Sequence, residues 1–210
     1  MAGEPIIPHA IRVLVVEDHR AVRDSLRGLL DARAELVVEA AVGTAREGLA
    51  EAAARPIDVA VVDYHLGRDE DGLALTCALK AVSSPPRVLI YSAYADDPLT
   101  VAAIAAGADG LLTKNGLGSD LCDAIAVVAT GRRAFSPISR RALAEVGAKL
   151  QADDRCLLAL LVAGGDDDAV AGALRMSGQA LAQRRRSLVR ALTGPPGAAR
   201  LPWDDLLDAG

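Results

Sequence analysis

Short apolar runs alternate with segments of helical periodicity over the first 130 residues. The apolar runs predict strands at 11–16, 36–42, 58–63, 87–92 and 110–113. The segments between and after them carry apolar residues at three- and four-residue spacing, the pattern of an amphipathic helix. Continuous apolar strands separated by helices are typical of a parallel sheet covered on both faces. Residues 1–130 are therefore predicted to form a compact three-layer α/β domain of five strand-helix units.

The composition changes after residue 130. The stretch 131–152 is basic, contains a Ser-Pro break and is predicted to be a linker with a short helix. The remainder, 153–210, carries three helical patterns, then the proline-rich "PPGAARLP" and a short final helix in "WDDLLDA". The sequence thus predicts an α/β domain at 1–130, a linker at 131–152 and a small all-α domain at 153–210.

Charge is distributed unevenly along a chain whose net charge is −5. Residues 1–130 carry 11 basic and 19 acidic side chains, whereas residues 177–200 hold five arginines and no acid. A local basic patch on an acidic protein indicates a polyanionic partner for one surface only. The sequence shows neither a signal-peptide pattern nor an apolar run long enough to cross a bilayer, so a cytoplasmic protein without a membrane partner is expected.

The cysteines do not form a recognisable framework. Cys77, Cys122 and Cys156 lie far apart, with neither paired spacing nor histidine partners, so a zinc site or disulfide network is not expected. Each is predicted to be a small buried apolar residue. Because only five residues are aromatic, the cores must be built mainly from Ala, Leu and Val.

Three acidic residues stand where predicted strands end. Glu17 and Asp18 follow the first strand, and Asp63 ends the third. Ligands of parallel α/β sheets bind outside the carboxyl ends of the strands, so the three carboxylates are expected to converge. They would repel one another unless a hard dication neutralised them, which predicts a Mg²⁺ site. The structural alternative for Glu17 and Asp18 is a solvated helix N-terminus, where the helix dipole stabilises acids.

Two further polar residues are expected at the same edge of the sheet. Ser92 ends the fourth strand, and Lys114 follows the fifth. A hydroxyl and an ammonium group beside Mg²⁺ suit phosphoryl transfer to a carboxylate, because they absorb charge that develops on the phosphoryl oxygens. Asp63 is thus the predicted nucleophile, with Ser92 and Lys114 as its catalytic partners.

The order and spacing of these residues resemble the receiver domain of two-component response regulators. The matching pieces are Glu17-Asp18, Asp63 after "VAVV", Ser92 after "VLIY", and Lys114 in "GADGLLTK". The resemblance implies a flavodoxin-like, doubly wound (βα)5 fold and a signalling protein in place of an enzyme. It further implies phosphorylation of Asp63 by a sensor histidine kinase, Mg²⁺ bound directly by Asp18 and through water by Glu17, and homodimerisation on activation.

The sequence departs from the receiver pattern at two places. The usual proline four residues after the acceptor is Gly67, and the next expected glycine is Gly72, one residue late, after the acidic "RDED". The aromatic residue usually found three positions before the lysine is Leu111, with Tyr91 and Tyr94 as candidate substitutes. A regulator that acts without phosphorylation is therefore an alternative.

The C-terminal sequence has the pattern of two helices joined by the tight turn "RMSG". It is similar to the LuxR-type helix-turn-helix domain of the NarL/FixJ subfamily in "LLALLVAGG", "AVAGALRMS" and "SGQALAQRRRSLVRALTG". The resemblance implies that the last segment is a recognition helix for the DNA major groove and that the protein regulates transcription. The candidate DNA contacts are Gln179, Gln183, Arg184, Arg185, Arg186 and Arg190.

The resemblance to a DNA-binding domain is partial. Ala180-Leu181 replaces the usual Thr-Val pair, and Arg185 stands at an apolar core position of the pattern. Three consecutive arginines cannot all face one groove, so at least one must turn toward the scaffold or solvent. A module that binds a protein partner in place of DNA is therefore the second interpretation.

Overall fold

A parallel five-stranded sheet forms the centre of the computed structural model, which describes residues 10–67 and 70–194. The strands are β1 (Ile11–Val16), β2 (Leu36–Val42), β3 (Val59–Asp63), β4 (Arg87–Ser92) and β5 (Gly110–Thr113). They lie side by side in the order β2-β1-β3-β4-β5. The predicted doubly wound, flavodoxin-like arrangement is therefore confirmed. The predicted final helix in "WDDLLDA" lies outside the described residues.

Helices cover both faces of this sheet, as a buried parallel sheet requires. On one face, α1 (Arg20–Asp31) and α5 (Gly118–Ala129) pack against alternate strand residues such as Val13 and Val59. On the other face lie α2 (Ala45–Ala54), α3 (Gly72–Leu79) and α4 (Asp97–Ala106). Strands β1 and β3 are buried in the middle, which fixes the positions of the residues at their carboxyl ends.

Within the described residues, four more helices follow the sheet domain. They are α6 (Arg140–Ala148), α7 (Ala152–Val162), α8 (Asp167–Leu174) and α9 (Gly178–Thr193). Between α8 and α9 the chain turns at Arg175, whose φ is 53°, and Ser177 then caps α9 by accepting a hydrogen bond from the Ala180 amide. Two helices joined by so tight a turn are the arrangement of a helix-turn-helix, consistent with the predicted C-terminal domain.

Helix α9 packs directly against α3 and α4 of the sheet domain, so that one apolar core extends through both parts of the chain. Every residue of α3 is buried, because the sheet covers one side of this helix and α9 contributes to covering the other. A helix that is apolar all round requires such cover on more than one side. The predicted linker is also tied to the sheet, since the Ala134 amide donates to the Asp109 carbonyl oxygen and the Leu111 amide donates to that of Ala134.

The cysteines follow the sequence prediction in two cases out of three. Cys77 and Cys122 are buried, and burial raises the pKa of the Cys77 thiol to about 12. Cys156 is exposed on α7, so its predicted burial is wrong, because it occupies a face of that helix that neither domain covers. None of the described helices combines the length and the apolar character needed to cross a membrane.

Candidate functional site

The predicted acidic cluster forms where β1 and β3 end. These strands are neighbours, with Val16 opposite Val62, so the loop after β1 brings Glu17 and Asp18 beside Asp63. Among the described residues, one ligand atom each from Glu17, Asp18, His19 and Asp63 can be chosen so that all lie within 4.8 Å of one another. Glu17 is 1% exposed and Asp63 is 6% exposed. Carboxylates so close and so buried require a positive charge.

Lys114 supplies part of that charge. Its Nζ lies 2.7 Å from Glu17 Oε2 and 2.8 Å from Asp63 Oδ2. Burial opposes the charge on Lys114, but its hydrogen bonds to Asp63 and Glu17 and the negative charge of these carboxylates together raise its pKa. Burial also raises the pKa of Glu17, against the hydrogen bond from Lys114. The Lys114 ammonium group thus lies between two of the carboxylates. The carboxylate oxygens of Glu17, Asp18 and Asp63 are a donor set that fits Mg²⁺.

Ser92 stands at the end of the next strand. It is buried at the end of β4, where its carbonyl oxygen accepts a hydrogen bond of 2.7 Å from the Lys114 amide. Its hydroxyl oxygen accepts from the amide of Tyr94 at 3.2 Å. Because Asp63 pairs with Tyr91 across β3 and β4, the five predicted residues occupy one edge of the sheet.

Two residues around this edge were not among the predicted site residues. The side chain of His19 is 73% exposed, yet its Nδ1 lies 2.8 Å from Asp18 Oδ1. Arg23 donates from Nη1 to the Glu17 carbonyl oxygen at 2.6 Å and holds the loop after β1. Their only sequence signal is position, since His19 directly follows the acidic pair and Arg23 lies one helical turn beyond His19.

A buried leucine occupies the position of the missing aromatic residue. Leu111 is buried in β5 and carries no aromatic ring. Of the two candidate substitutes, Tyr94 is 77% exposed, whereas the Tyr91 ring centroid lies 5.8 Å from Lys114 Nζ. This distance is within the range of a cation–π contact, so Tyr91 adjoins the site and Tyr94 faces solvent.

The segment after Asp63 folds as a small hairpin. His65–Leu66 pairs antiparallel with Glu70–Asp71, and Gly67 begins the turn with a φ of 79°. Asp71 then caps α3, because its Oδ1 accepts from the Leu73 amide at 2.8 Å. Gly72 starts α3 so close to the acceptor that an added Cβ would lie 2.1 Å from the main-chain oxygen of Asp63.

The candidate DNA contacts are dispersed over α9. Gln179 and Gln183 are exposed, and Arg186 and Arg190 are half-buried. Arg184 Nε donates to Asp154 Oδ1 at 2.8 Å. Only part of the predicted set is therefore open to a ligand in this arrangement.

Arg185 is the inward-facing member of the three consecutive arginines. It is 6% exposed, and its Nη1 donates to the carbonyl oxygens of Ala105 at 3.0 Å and Ile104 at 3.3 Å. Its Nη2 pairs with Asp167. In this arrangement Arg185 joins α9 to the end of α4 and to the start of α8, and no DNA phosphate can reach it.

Replacing Lys114 by Met is expected to make the fold depend on a metal ion. Buried carboxylates without their cation cost about 3 kcal/mol of unfolding free energy, and Mg²⁺ should restore most of that loss. Urea unfolding with and without Mg²⁺ measures the effect, with the exposed Lys149→Met as control. Equal Mg²⁺ stabilisation of the wild type and both variants would show that Lys114 does not hold the cluster together.

Comparison with known proteins agrees with this geometry. Residues 13–126 match the family model described as response regulator receiver domain. The chain is 37% identical over 141 residues to the DNA-binding transcriptional activator DevR/DosR of Mycobacterium tuberculosis, covering 67% of this chain and 63% of that protein. It is 28% identical over 127 residues to the response regulator protein VraR of Staphylococcus aureus, covering 60% of each. The matches thus span less than two thirds of the length of these relatives.

Solved structures show the same fold. A LuxR-family two-component response regulator from Aurantimonas sp. SI85-9A1 superposes with a TM-score of 0.58 at 29% identity, covering 65% of this chain and 96% of that one. An RcsB response regulator solved as a DNA complex superposes with a TM-score of 0.58 at 19% identity, over 89% of this chain and 94% of that one, and shows likeness of fold alone. From its family match, its fold and its acidic edge, the chain belongs to the response regulator receiver domain family.

Proposed function

We propose that this protein is the response regulator of a two-component system and controls transcription through phosphorylation of Asp63. A sensor histidine kinase is the donor, and the C-terminal helices bind DNA as a homodimer once the protein is activated. The observation that carries this proposal is the placement of Asp63 beside Glu17, Asp18 and Lys114 at the end of β3. The description of one relative as a DNA-binding transcriptional activator supports the proposed control of transcription through DNA binding.

The carboxylate of Asp63 is the nucleophile. One of its oxygens attacks the phosphorus of a phosphohistidine, so that a P–O bond forms while the P–N bond breaks and the imidazole leaves with the electron pair. Mg²⁺ held by Asp18, Asp63 and, through water, Glu17 would supply neutralisation of the phosphoryl charge. Lys114 pairs its ammonium with one phosphoryl oxygen, and the Ser92 hydroxyl donates to another.

Helix α4 connects the acidic edge to the C-terminal helices. It begins at Asp97, soon after Ser92, and its last carbonyl oxygens accept from Arg185 of α9. When Ser92 and Lys114 turn to a phosphoryl group, the loop before α4 shifts and changes the packing of α4 against α9. Phosphorylation thus favours a state in which α9 is released from the sheet domain.

The proposal keeps the domain boundaries that the sequence predicts. Residues 1–130 form the receiver domain, 131–152 the linker that contains α6, and 153–210 the DNA-binding domain. Released α9 places one face in the major groove. Its contacts are drawn from Gln179, Gln183, Arg184, Arg185, Arg186 and Arg190, of which the three consecutive arginines do not all reach the DNA.

The proposed DNA binding is tested by measuring the affinity for DNA at several salt concentrations. A pool of random duplex DNA is titrated with the full chain before and after incubation with acetyl phosphate and Mg²⁺. We expect the phosphorylated protein to bind at least about tenfold more tightly, with an affinity that falls steeply as salt rises. A stoichiometric adduct without any salt-dependent DNA binding would contradict the transcriptional role and support the protein-partner interpretation.

Arg185→Ala is expected to loosen the contact between α9 and α4. The substitution removes charged hydrogen bonds to two main-chain carbonyls, which together contribute about 2 kcal/mol. Hydrogen exchange of α4 and α9 measures the local opening and should become roughly 30-fold faster at that cost. Arg186→Ala is the matched control, since it removes the same charge from a half-buried neighbour. Equal exchange rates in the two variants would contradict the role given to Arg185.

A further inference from the structure

An apolar groove lies between α6 and α7, away from the acidic edge. Leu143 of α6 and Leu158 and Val162 of α7 line it, and its volume is about 580 Å³. The alanines along it, among them Ala144, Ala148 and Ala159, are exposed. Apolar surface gathered in a concave site marks a place where another apolar segment binds.

We propose that residues 201–209 of the same chain cover this groove. They lie outside the described residues, and their sequence, "LPWDDLLDA", alternates apolar and acidic positions. Trp203, Leu206 and Leu207 have the spacing that places side chains on one face of a helix, with the three aspartates Asp204, Asp205 and Asp208 elsewhere on it. The segment thus offers one apolar face of the size that a groove between two helices accepts.

The described part of the chain ends close to the groove. Ala191 and Leu192, in the last turn of α9, face Ala142 and Val146 of α6 across a shared cleft. The groove lies on another face of α6, lined by Leu143 and Ala144. From Gly194 the chain must therefore pass around one helix, whose diameter is about 10 Å. The eight residues 195–202 span up to about 26 Å when extended, and their prolines favour extended backbone.

Charge favours the same pairing. The exposed Arg155 lines the groove, whereas Arg141 and Lys149 line the cleft on the other face of α6, where Arg141 pairs with Glu145. The segment brings three aspartates and no basic residue. The aspartates around the apolar face of the segment are therefore complementary to Arg155, the charged residue of the groove lining. Bound there, the segment would hold α6, the helix of the linker, against α7 of the DNA-binding domain.

The fluorescence of Trp203 reports on binding of residues 201–209 in the groove, because Trp203 is the only tryptophan of the chain. The experiment uses the full-length protein. We expect wild-type emission to be blue-shifted and resistant to acrylamide. Ala159→Glu places a carboxylate in the groove, so it should shift the emission to the red and raise the quenching constant several-fold. Ala173→Glu, at an exposed position of α8, is the matched control and should leave both unchanged. Circular dichroism checks that each variant is folded.

A second measurement locates residues 201–209 and distinguishes binding within one molecule from binding by a second copy of the chain. Cys156 is the only exposed cysteine and lies one helical turn from Ala159. A bimane label on Cys156 should be quenched by Trp203 at every protein concentration and recover in Trp203→Phe. Exposed tryptophan in the wild type, or buried tryptophan that Ala159→Glu does not affect, would overturn the proposal. Quenching that appears only as concentration rises would overturn it in favour of a groove filled by another molecule.

Discussion

The Asp63→Asn protein is expected to gain no phosphoryl group from acetyl phosphate and Mg²⁺, whereas the wild type should gain one. Asparagine preserves the size of the side chain and its position at the end of β3, but its amide is not a nucleophile at phosphorus. Intact-protein mass spectrometry measures the adduct, and hydroxylamine, which cleaves acyl phosphates, confirms its chemistry. The loss should be complete, because Glu17, the other described carboxylate that contacts Lys114 in the acidic cluster, is only 1% exposed.

Asp58→Asn provides the control for this measurement. Asp58 directly precedes β3, and its Oδ1 pairs with Arg12 at 2.7 Å at the opposite end of the strand. This variant should accept a phosphoryl group as the wild type does. An adduct of equal yield on Asp63→Asn would show that another residue is the acceptor. A wild type that binds Mg²⁺ but is modified neither by acetyl phosphate nor by a histidine kinase would favour the regulator that acts without phosphorylation.

Gly72→Ala is expected to destabilise the protein strongly and to disturb the acceptor at the same time. The added methyl group would lie 2.1 Å from the Asp63 main-chain oxygen, so the backbone at the end of β3 or at the start of α3 must move. Overpacking against rigid backbone costs about 3 kcal/mol, which is a large part of the stability of an ordinary domain. Urea unfolding measures the loss, and the rate of phosphorylation should fall with it.

Gly28→Ala is the matched substitution with the opposite expected sign. Gly28 lies exposed inside α1, where an added Cβ meets no atom within 4 Å. Alanine there should stabilise the helix by up to about 1 kcal/mol, because glycine is the poorer helix former. If Gly72→Ala were as harmless as Gly28→Ala, the close approach of α3 to Asp63 would not exist in solution.

The sheet and its acidic edge could be predicted from the sequence because both depend on local patterns. Five apolar runs between helical periods define a parallel sheet, and the carboxyl ends of parallel strands share one edge. Glu17, Asp18 and Asp63 therefore had to meet once the strands were placed correctly. The sequence shows that the turn after Asp63 is one residue longer than the receiver pattern. Its hairpin, however, depends on pairing between His65–Leu66 and Glu70–Asp71, which periodicity does not specify.

The sequence by itself thus determined which residues reach the acidic edge, while the tertiary structure alone decided what holds them and what the remaining surfaces contact. The bridge from Lys114 to Glu17 joins residues 97 positions apart, and that from Arg185 to Ala105 joins residues 80 apart. The apolar character of α3 and α4 signalled that these helices need cover, but hydrophobic burial is non-directional and does not name the partner. Only the packed chain shows that α9 fills this role and turns Arg185 inward.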